Sequence, residues 1–125
     1  MIIKELTIQR DAFSVLGTRP APNRLSIALE GSADMRVQSE FATMIYKIHD
    51  EARRNHVSMV TVNMQKLEFL SSGCFKGLCT WVRLLLERGT PYKLCIVSNP
   101  SYHWQSRSLQ ALRLLAPEHV TIEKP

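Results

Sequence analysis

The sequence predicts an α/β domain in which about five strands form a mixed sheet, with helices packed mainly on one face. Short β-branched or alternating segments are followed by longer segments whose apolar residues recur at helical spacing. Strand–helix–strand units need crossover connections, which place neighbouring strands parallel. Because each helical segment has a single apolar stripe, the helices are expected to cover one face of the sheet.

The strands are predicted from short apolar or alternating segments bounded by turn residues. The first two are expected to form a hairpin, because residues 18–23 contain two prolines that oppose regular pairing and predict a turn. Gly31 is expected to end the second strand. The third strand is expected to be buried in the middle of the sheet, since it is almost entirely apolar or β-branched. The five predicted strands span residues 2–9, 24–30, 57–64, 93–98 and 120–123.

Three helices are predicted between these strands. The first spans residues 35–55, is capped by Ser32 or Asp34, and ends at Asn55. The second spans residues 72–88, with Gly89 ending it and Arg88 in its last turn, and the third spans residues 102–115, before Pro117. The apolar stripe predicted for the first helix consists of Val37, Phe41, Met44, Ile45, Ile48 and Ala52.

Length and composition limit the class of protein. A chain of 125 residues predicts one domain, residues 1–125, large enough to bury a core without disulfides or a metal. With 45% hydrophobic and 22% charged residues, disorder and coiled coil are excluded, and no apolar run approaches the ~20 residues of a membrane span. The first residues lack the pattern of a secretion signal. We therefore expect a cytoplasmic protein, without membrane insertion, whose three cysteines are reduced thiols.

The formal charge of +5 arises entirely in residues 51–125, because residues 1–50 carry equal numbers of acidic and basic side chains. Such an excess permits an acidic partner, nucleic acid or a nucleotide. The basic residues are dispersed, however, and do not form the clustered stripe typical of nucleic-acid binding. A solvated basic surface and no nucleic-acid partner are the preferred interpretation.

The sequence lacks the glycine-rich phosphate and dinucleotide motifs, the paired-histidine zinc motif and the serine nucleophile motif. The four histidines are scattered and the cysteines are not spaced for zinc, so no metal, cofactor or enzymatic activity is expected. Cys79 and Cys95 are interpreted as core residues. Cys74, in the first turn of a helix, is a candidate for a lowered pKa, although an inert thiol is preferred.

The most informative segment is residues 69–73, where a buried strand passes through a short loop into a helix. A hydroxyl at a helix start is explained by capping alone. The functional alternative is phosphorylation, because a phosphate there would face the free N–H groups of the helix.

Over most of its length, this segment included, the sequence resembles the STAS domain family, the anti-sigma factor antagonists and their relatives. The resemblance covers about residues 24–123 and is carried by three features in order. These are L-S-I-A-L-E-G-S-A-D at residues 25–34, V-T-V-N-M-Q-K-L-E-F-L-S-S-G at residues 60–73, and the strand at residues 93–99. The resemblance implies a STAS-like fold and no catalysis.

The resemblance also implies a partner-switching function. The partner would be an anti-sigma factor that is also a serine kinase of the ATP-binding type, and phosphorylation of Ser71 would release it. A serine phosphatase and a homodimer are further partners left open. The implied partner-binding residues are Asp34, Ser71, Ser72, Gly73, Phe75 and Lys76.

Two positions depart from the family pattern: Leu70 stands where an Asp is usual, and Phe75 stands where a small residue is usual. The alternative is therefore a non-phosphorylated STAS subunit of a larger assembly, such as a lipid-transporter accessory or a stressosome-like scaffold. Residues 101–104, with Arg107 nearby, are interpreted either as a contact surface or, by preference, as the edge of the core.

Overall fold

Six strands form one mixed sheet in the computed structural model, which describes residues 1–87 and 92–124. The spatial order of the strands is the same as their order in the sequence. A short 3-10 turn, Met35–Val37, precedes the first helix. The strands are β1 Ile2–Gln9, β2 Phe13–Ala21, β3 Arg24–Ala33, β4 Met59–Leu70, β5 Lys93–Val97 and β6 Val120–Glu123, and the helices are α1 Gln38–Arg54, α2 Ser72–Leu85 and α3 His103–Leu115.

The sheet has an antiparallel half and a parallel half. β1, β2 and β3 pair antiparallel through short turns, whereas β3, β4, β5 and β6 pair parallel. Each parallel step contains one helix, so α1, α2 and α3 are the three crossovers. This confirms the predicted α/β class with its mixed sheet, and β4 has neighbours on both sides, as predicted.

The predicted N-terminal hairpin is wrong, because an additional strand, β2, lies between the two segments that were expected to pair. β2 extends into the segment predicted as a turn. Its pairing with β3 shifts register between Thr18 and Ala21, so Pro20 lies within an irregularity of the ladder. A proline has no N–H to donate, and such a shift is where a strand tolerates one. The connecting turn is reduced to Pro22 and Asn23.

The prediction that Gly31 ends its strand is also wrong, since β3 continues to Ala33. Gly31 has a φ of +94°, and the ladder with β4 shifts register immediately after it. A side chain at this position would meet the backbone of Ala12. The glycine therefore allows β3 to continue past a register shift at which β4 contributes the extra residue, Glu68, and it does not end the strand.

Other boundaries differ by less. β4 includes residues 67–70, which were expected only to lead to the next loop, and α2 ends at Leu85 rather than at residue 88. Arg88 and Gly89, expected at the end of that helix, lie outside the described residues. The first helix begins as the 3-10 turn, and Asn55 ends α1 as predicted.

The core lies between one face of the sheet and the helices. Buried and half-exposed residues alternate along β3 and along the first half of β4, so only one face of the sheet is covered. All six residues of the stripe predicted for the first helix are buried in this core. Burial of large apolar side chains here is the main stabilising contribution, at about 1.5–3 kcal/mol for each. In the described chain, no helix combines the length and apolarity that a membrane span requires.

Two buried polar groups tie helices to the sheet region. Gln105 of α3 is fully buried, and its amide nitrogen donates to the carbonyl oxygens of Met64 (2.7 Å) and Leu67 (3.0 Å). Tyr92 is also buried, and its hydroxyl accepts from the Trp81 indole N–H (2.8 Å) and lies 2.5 Å from Nδ1 of His49. Neither group was anticipated from the sequence, because both depend on contacts between distant segments.

Candidate functional site

The two loops that carry the predicted site residues meet at the carboxyl ends of β3 and β4. Ala33 pairs with Leu70 in the last step of the parallel ladder. One residue later, the Ser71 N–H donates to the carbonyl oxygen of Ala33 at 2.8 Å. The Cys74 thiol lies 3.8 Å from the carbonyl oxygen of Asp34. The backbone therefore joins the Asp34 loop to the start of α2, and we call this region the Asp34–Ser71 site.

Asp34 caps the 3-10 turn and forms an ion pair with Arg36. Its carboxylate accepts from the backbone N–H of Arg36 (2.9 Å) and from the Arg36 guanidinium (2.7 Å). These bonds favour the charged form, so they lower the pKa of the Asp34 carboxyl group. The Arg36 side chain is 79% exposed, so the site presents a cation beside the carboxylate. Asp34 was predicted as a cap, and the structure confirms that role for the turn preceding α1.

Ser71 is the N-cap of α2. Its hydroxyl oxygen accepts from the backbone N–H of Cys74 at 3.2 Å, and its backbone is extended, with φ −68° and ψ 161°. Only 8% of the Ser71 surface is exposed, whereas the next residue, Ser72, is exposed. The capping interpretation is thus confirmed in geometry. Of the two adjacent hydroxyls, the one with the capping role is the less accessible.

The remaining predicted residues lie along the first turns of α2. Gly73 is half-buried, and a side chain there would collide with the side chain of Gln38, the first residue of α1. Phe75 is half-buried and packs against the core, and Lys76 is exposed. The Phe75 ring is therefore anchored in the molecule, rather than standing free on the docking surface.

Cys74 has no features of a reactive thiol. It is 1% exposed, and burial raises the pKa of its thiol. Burial likewise raises the pKa of Cys79 and Cys95. The raised pKa of Cys74 agrees with the preferred interpretation of an inert thiol. It contradicts the lowered pKa that was considered for this residue. Within residues 1–87 and 92–124, no three potential metal-ligating side chains of His, Cys, Asp or Glu come together.

Apolar side chains border the site: Phe69 and Trp104 lie in segments that the sequence analysis singled out, whereas Met35 does not. Met35 is 79% exposed and Phe69 is 49% exposed. Trp104 of α3 packs against the core, and its indole N–H donates to the carbonyl oxygen of Glu68 at 2.8 Å. This supports the core-edge interpretation of residues 101–104. Phe69 lies near the end of β4, where the alternation of buried and exposed residues breaks down, a change of pattern that was visible in the sequence.

Solved structures with the same architecture come from anti-sigma factor antagonists. One is an anti-sigma factor antagonist from Mycobacterium paratuberculosis, with a TM-score of 0.66, 15% identity, and coverage of 92% of this chain and 88% of that one. This chain has a STAS-like fold. Another is the Bacillus cell fate determinant SpoIIAA in its phosphorylated form, with a TM-score of 0.57, 19% identity, and coverage of 89% and 90%.

A third similar structure is that of the Pseudomonas aeruginosa diguanylate cyclase SiaD in complex with its activator SiaC. The TM-score is 0.61 at 12% identity, and the alignment covers 95% of this chain and 98% of that one. No family model matches the sequence, and no curated protein matches it. At these identities the similarity shows the fold, and function has to be argued from the site.

Proposed function

We propose that this chain is a non-enzymatic, cytoplasmic regulator of a partner-switching system, an anti-sigma factor antagonist. Its partner is an anti-sigma factor that is also a serine kinase of the ATP-binding type, and docking uses the Asp34–Ser71 site and the start of α2. The kinase transfers the γ-phosphoryl group of ATP to the Ser71 hydroxyl, and the phosphorylated chain dissociates. A serine phosphatase would reverse the modification.

The observation that carries this proposal is the position of the Ser71 hydroxyl at the N-terminus of α2, tied to the Asp34 loop. The first turn of α2 has no acidic side chain, and Lys76 is exposed one turn further on. A phosphate on Ser71 would keep an oxygen acceptor for the Cys74 N–H while adding close to two negative charges to the docking surface. SpoIIAA, which has a phosphorylated form, shares the fold.

The low exposure of Ser71 sets a condition on this mechanism. The kinase has to turn the hydroxyl outward and break its bond to the Cys74 N–H. Losing one N-cap bond costs about 1 kcal/mol. A cost of this size lowers the population of the accessible state about fivefold, so it slows the reaction without preventing it.

A phosphorylation assay tests the assignment directly. Incubation with an anti-sigma kinase and ATP should add one phosphate to the wild type and to Ser72→Ala, and none to Ser71→Ala. Ser72 is the matched control because it is adjacent, exposed and chemically identical. Phosphate that persists in Ser71→Ala and disappears in Ser72→Ala would contradict the assignment of Ser71.

A pair of substitutions separates charge from capping. Asp and Asn are both good N-cap residues, so Ser71→Asp and Ser71→Asn should each preserve α2. Only Ser71→Asp adds a charge, and it should weaken binding to the anti-sigma factor, measured by calorimetry, at least ~10-fold relative to Ser71→Asn. Equal affinity of the two variants would show that charge at this position does not control docking.

The burial of Ser71 and the presence of Leu70 favour a second candidate, a non-phosphorylated STAS subunit of a larger assembly. Such a subunit would bind its partner stably without acting as a kinase substrate. Stable co-purification with a membrane ATPase or a scaffold protein, unaffected by ATP or by Ser71→Asp, would select this candidate.

A further inference from the structure

No described helix covers the sheet face opposite the core, and the two central rows of side chains on this face are almost free of charge. The ladder registers align two rows of side chains across all six strands on this face. We call these two rows the open face. They consist of Ile2, Thr18, Ser26, Thr61, Cys95 and Thr121, and of Thr7, Leu16, Ala28, Asn63, Val97 and Glu123.

The composition of the open face differs from that of a solvated sheet surface. Of its twelve positions only Glu123 is charged, in a chain in which 22% of residues are charged. Ile2 is 65% exposed and Leu16 is 41% exposed, although both are large and apolar. The outward side of a solvated antiparallel sheet is usually polar, with charged side chains among its residues. Short, neutral side chains are instead what two sheets need to pack face to face about 10 Å apart.

Charges border the open face, and their signs differ between its two ends. Arg24 and Lys93 lie at the beginnings of β3 and β5, in the row adjoining Met59. Glu30 lies near the end of β3, and Glu123 ends β6. Among the charged residues named here, Lys66 is the one cation at the end that carries Glu30 and Glu123, and it pairs with Glu30. A two-fold axis perpendicular to the strands would place the cationic end of one copy over the end of the other that carries the two carboxylates.

The open face, together with the charged residues that border it, is large enough for a specific dimer. Six strands spaced about 4.8 Å apart, over about 20 Å of strand length that includes this border, give roughly 500–600 Å² in projection. Two such faces bury about 1,000–1,200 Å² in total, which is at the lower end of the range for specific interfaces. An interface of this size corresponds to a dimer that exchanges with monomer rather than an obligate one.

We propose that the open face binds a second copy of this chain, so that two sheets pack face to face with their strands antiparallel. The neutral centre lets two chains of net charge +5 approach without like charges meeting, and the end charges set the orientation. The proposed dimer does not involve the Asp34–Ser71 site, so it is independent of the function proposed above.

Sedimentation velocity of the purified full chain, from about 1 µM to about 500 µM, tests the proposal. We expect a reversible monomer–dimer equilibrium with a dissociation constant of about 1–100 µM. Raising the salt concentration should change this dissociation constant little, because salt screens both the attraction between the charged ends and the net repulsion between the copies. A wild type that stays monomeric over the whole range would overturn the proposal.

Single substitutions then locate the interface. Thr61→Arg, at the centre of the open face, and Thr121→Glu, at its exposed edge, should each raise the dissociation constant at least ~100-fold, because Thr61→Arg buries an unpaired charge and Thr121→Glu places a carboxylate opposite Glu123 of the second copy. Thr43→Arg, on the exposed side of α1, is the matched control and should leave it unchanged. Thr121 lies on an edge strand, so its variant remains informative if Thr61→Arg proves unstable. A dimer that survives in folded Thr121→Glu and Thr61→Arg would place the interface elsewhere and refute the proposal.

Discussion

Removing the Tyr92 hydroxyl tests whether the buried polar cluster stabilises the fold. Tyr92 is 1% exposed, as is Trp81, and His49 is 6% exposed. The Trp81 N–H donates to the Tyr92 oxygen, and a second hydrogen bond joins the Tyr92 hydroxyl to Nδ1 of His49. The other ring nitrogen of His49, Nε2, is buried and has no hydrogen-bond partner among the described residues.

Tyr92→Phe keeps the ring and deletes only the oxygen. It leaves the Trp81 N–H and the His49 Nδ1 without a partner, and each unsatisfied buried group costs about 1–3 kcal/mol. Because the histidine ring can partly readjust, we expect the free energy of unfolding to fall by about 2–4 kcal/mol. That is a large fraction of the roughly 5–15 kcal/mol of a typical domain.

Urea denaturation followed by fluorescence of the neighbouring Trp81 measures this change. Tyr46→Phe is the matched control, since Tyr46 is 54% exposed and its substitution should change stability by less than about 0.5 kcal/mol. A Tyr92→Phe variant as stable as Tyr46→Phe would show that the cluster contributes nothing net, and the reasoning from its hydrogen bonds would be refuted.

Three further predictions concern stability. Burial lowers the pKa of His49, so between the ordinary histidine pKa of about 6.5 and its lowered value the unfolded chain binds a proton that the folded chain does not. The free energy of unfolding should therefore fall as the pH drops through this window, and His49→Gln should reduce that slope. Gln105→Leu leaves the carbonyl oxygens of Met64 and Leu67 unpaired and should cost at least about 2 kcal/mol in urea denaturation, while the exposed Gln110→Leu should not. Ser71→Ala should lower the melting temperature by an amount equivalent to about 1 kcal/mol, with Ser71→Asn near the wild type.

Local periodicity predicted the helices well and the antiparallel half of the sheet less well. The apolar stripe of α1 was correct at every position, because helical spacing alone decides which residues share a face. β2 was missed although Phe13 and Val15 alternate with polar or exposed neighbours, since Pro20 was taken to exclude a strand. The register shift that accommodates this proline is a property of the pairing with β3, which the sequence does not display.

At the candidate site, the sequence predicted that Asp34 and Ser71 cap helices, but it did not predict how little of Ser71 is exposed. Asp34 and Ser71 both accept backbone N–H bonds, as their residue types and positions implied. The 8% exposure of Ser71 depends on how the β3 and β4 ends meet, which is a non-local feature. The buried Gln105 was hidden for a similar reason: glutamine is usually a surface residue, and its backbone partners are about 40 residues away.

Charge provides a common test of the two interfaces. α2 and α3 contain no acidic residue, and exposed Lys76, Arg83 and Arg107 lie on their outer surfaces. A partner attracted to this surface should bind more weakly at high salt, and a phosphate of nearly two negative charges on Ser71 would offset much of the attraction. The open face is neutral at its centre, so the proposed dimer should resist salt. The difference between a salt-sensitive and a salt-resistant interaction would therefore separate partner docking at the helices from self-association at the sheet, even in one mixture.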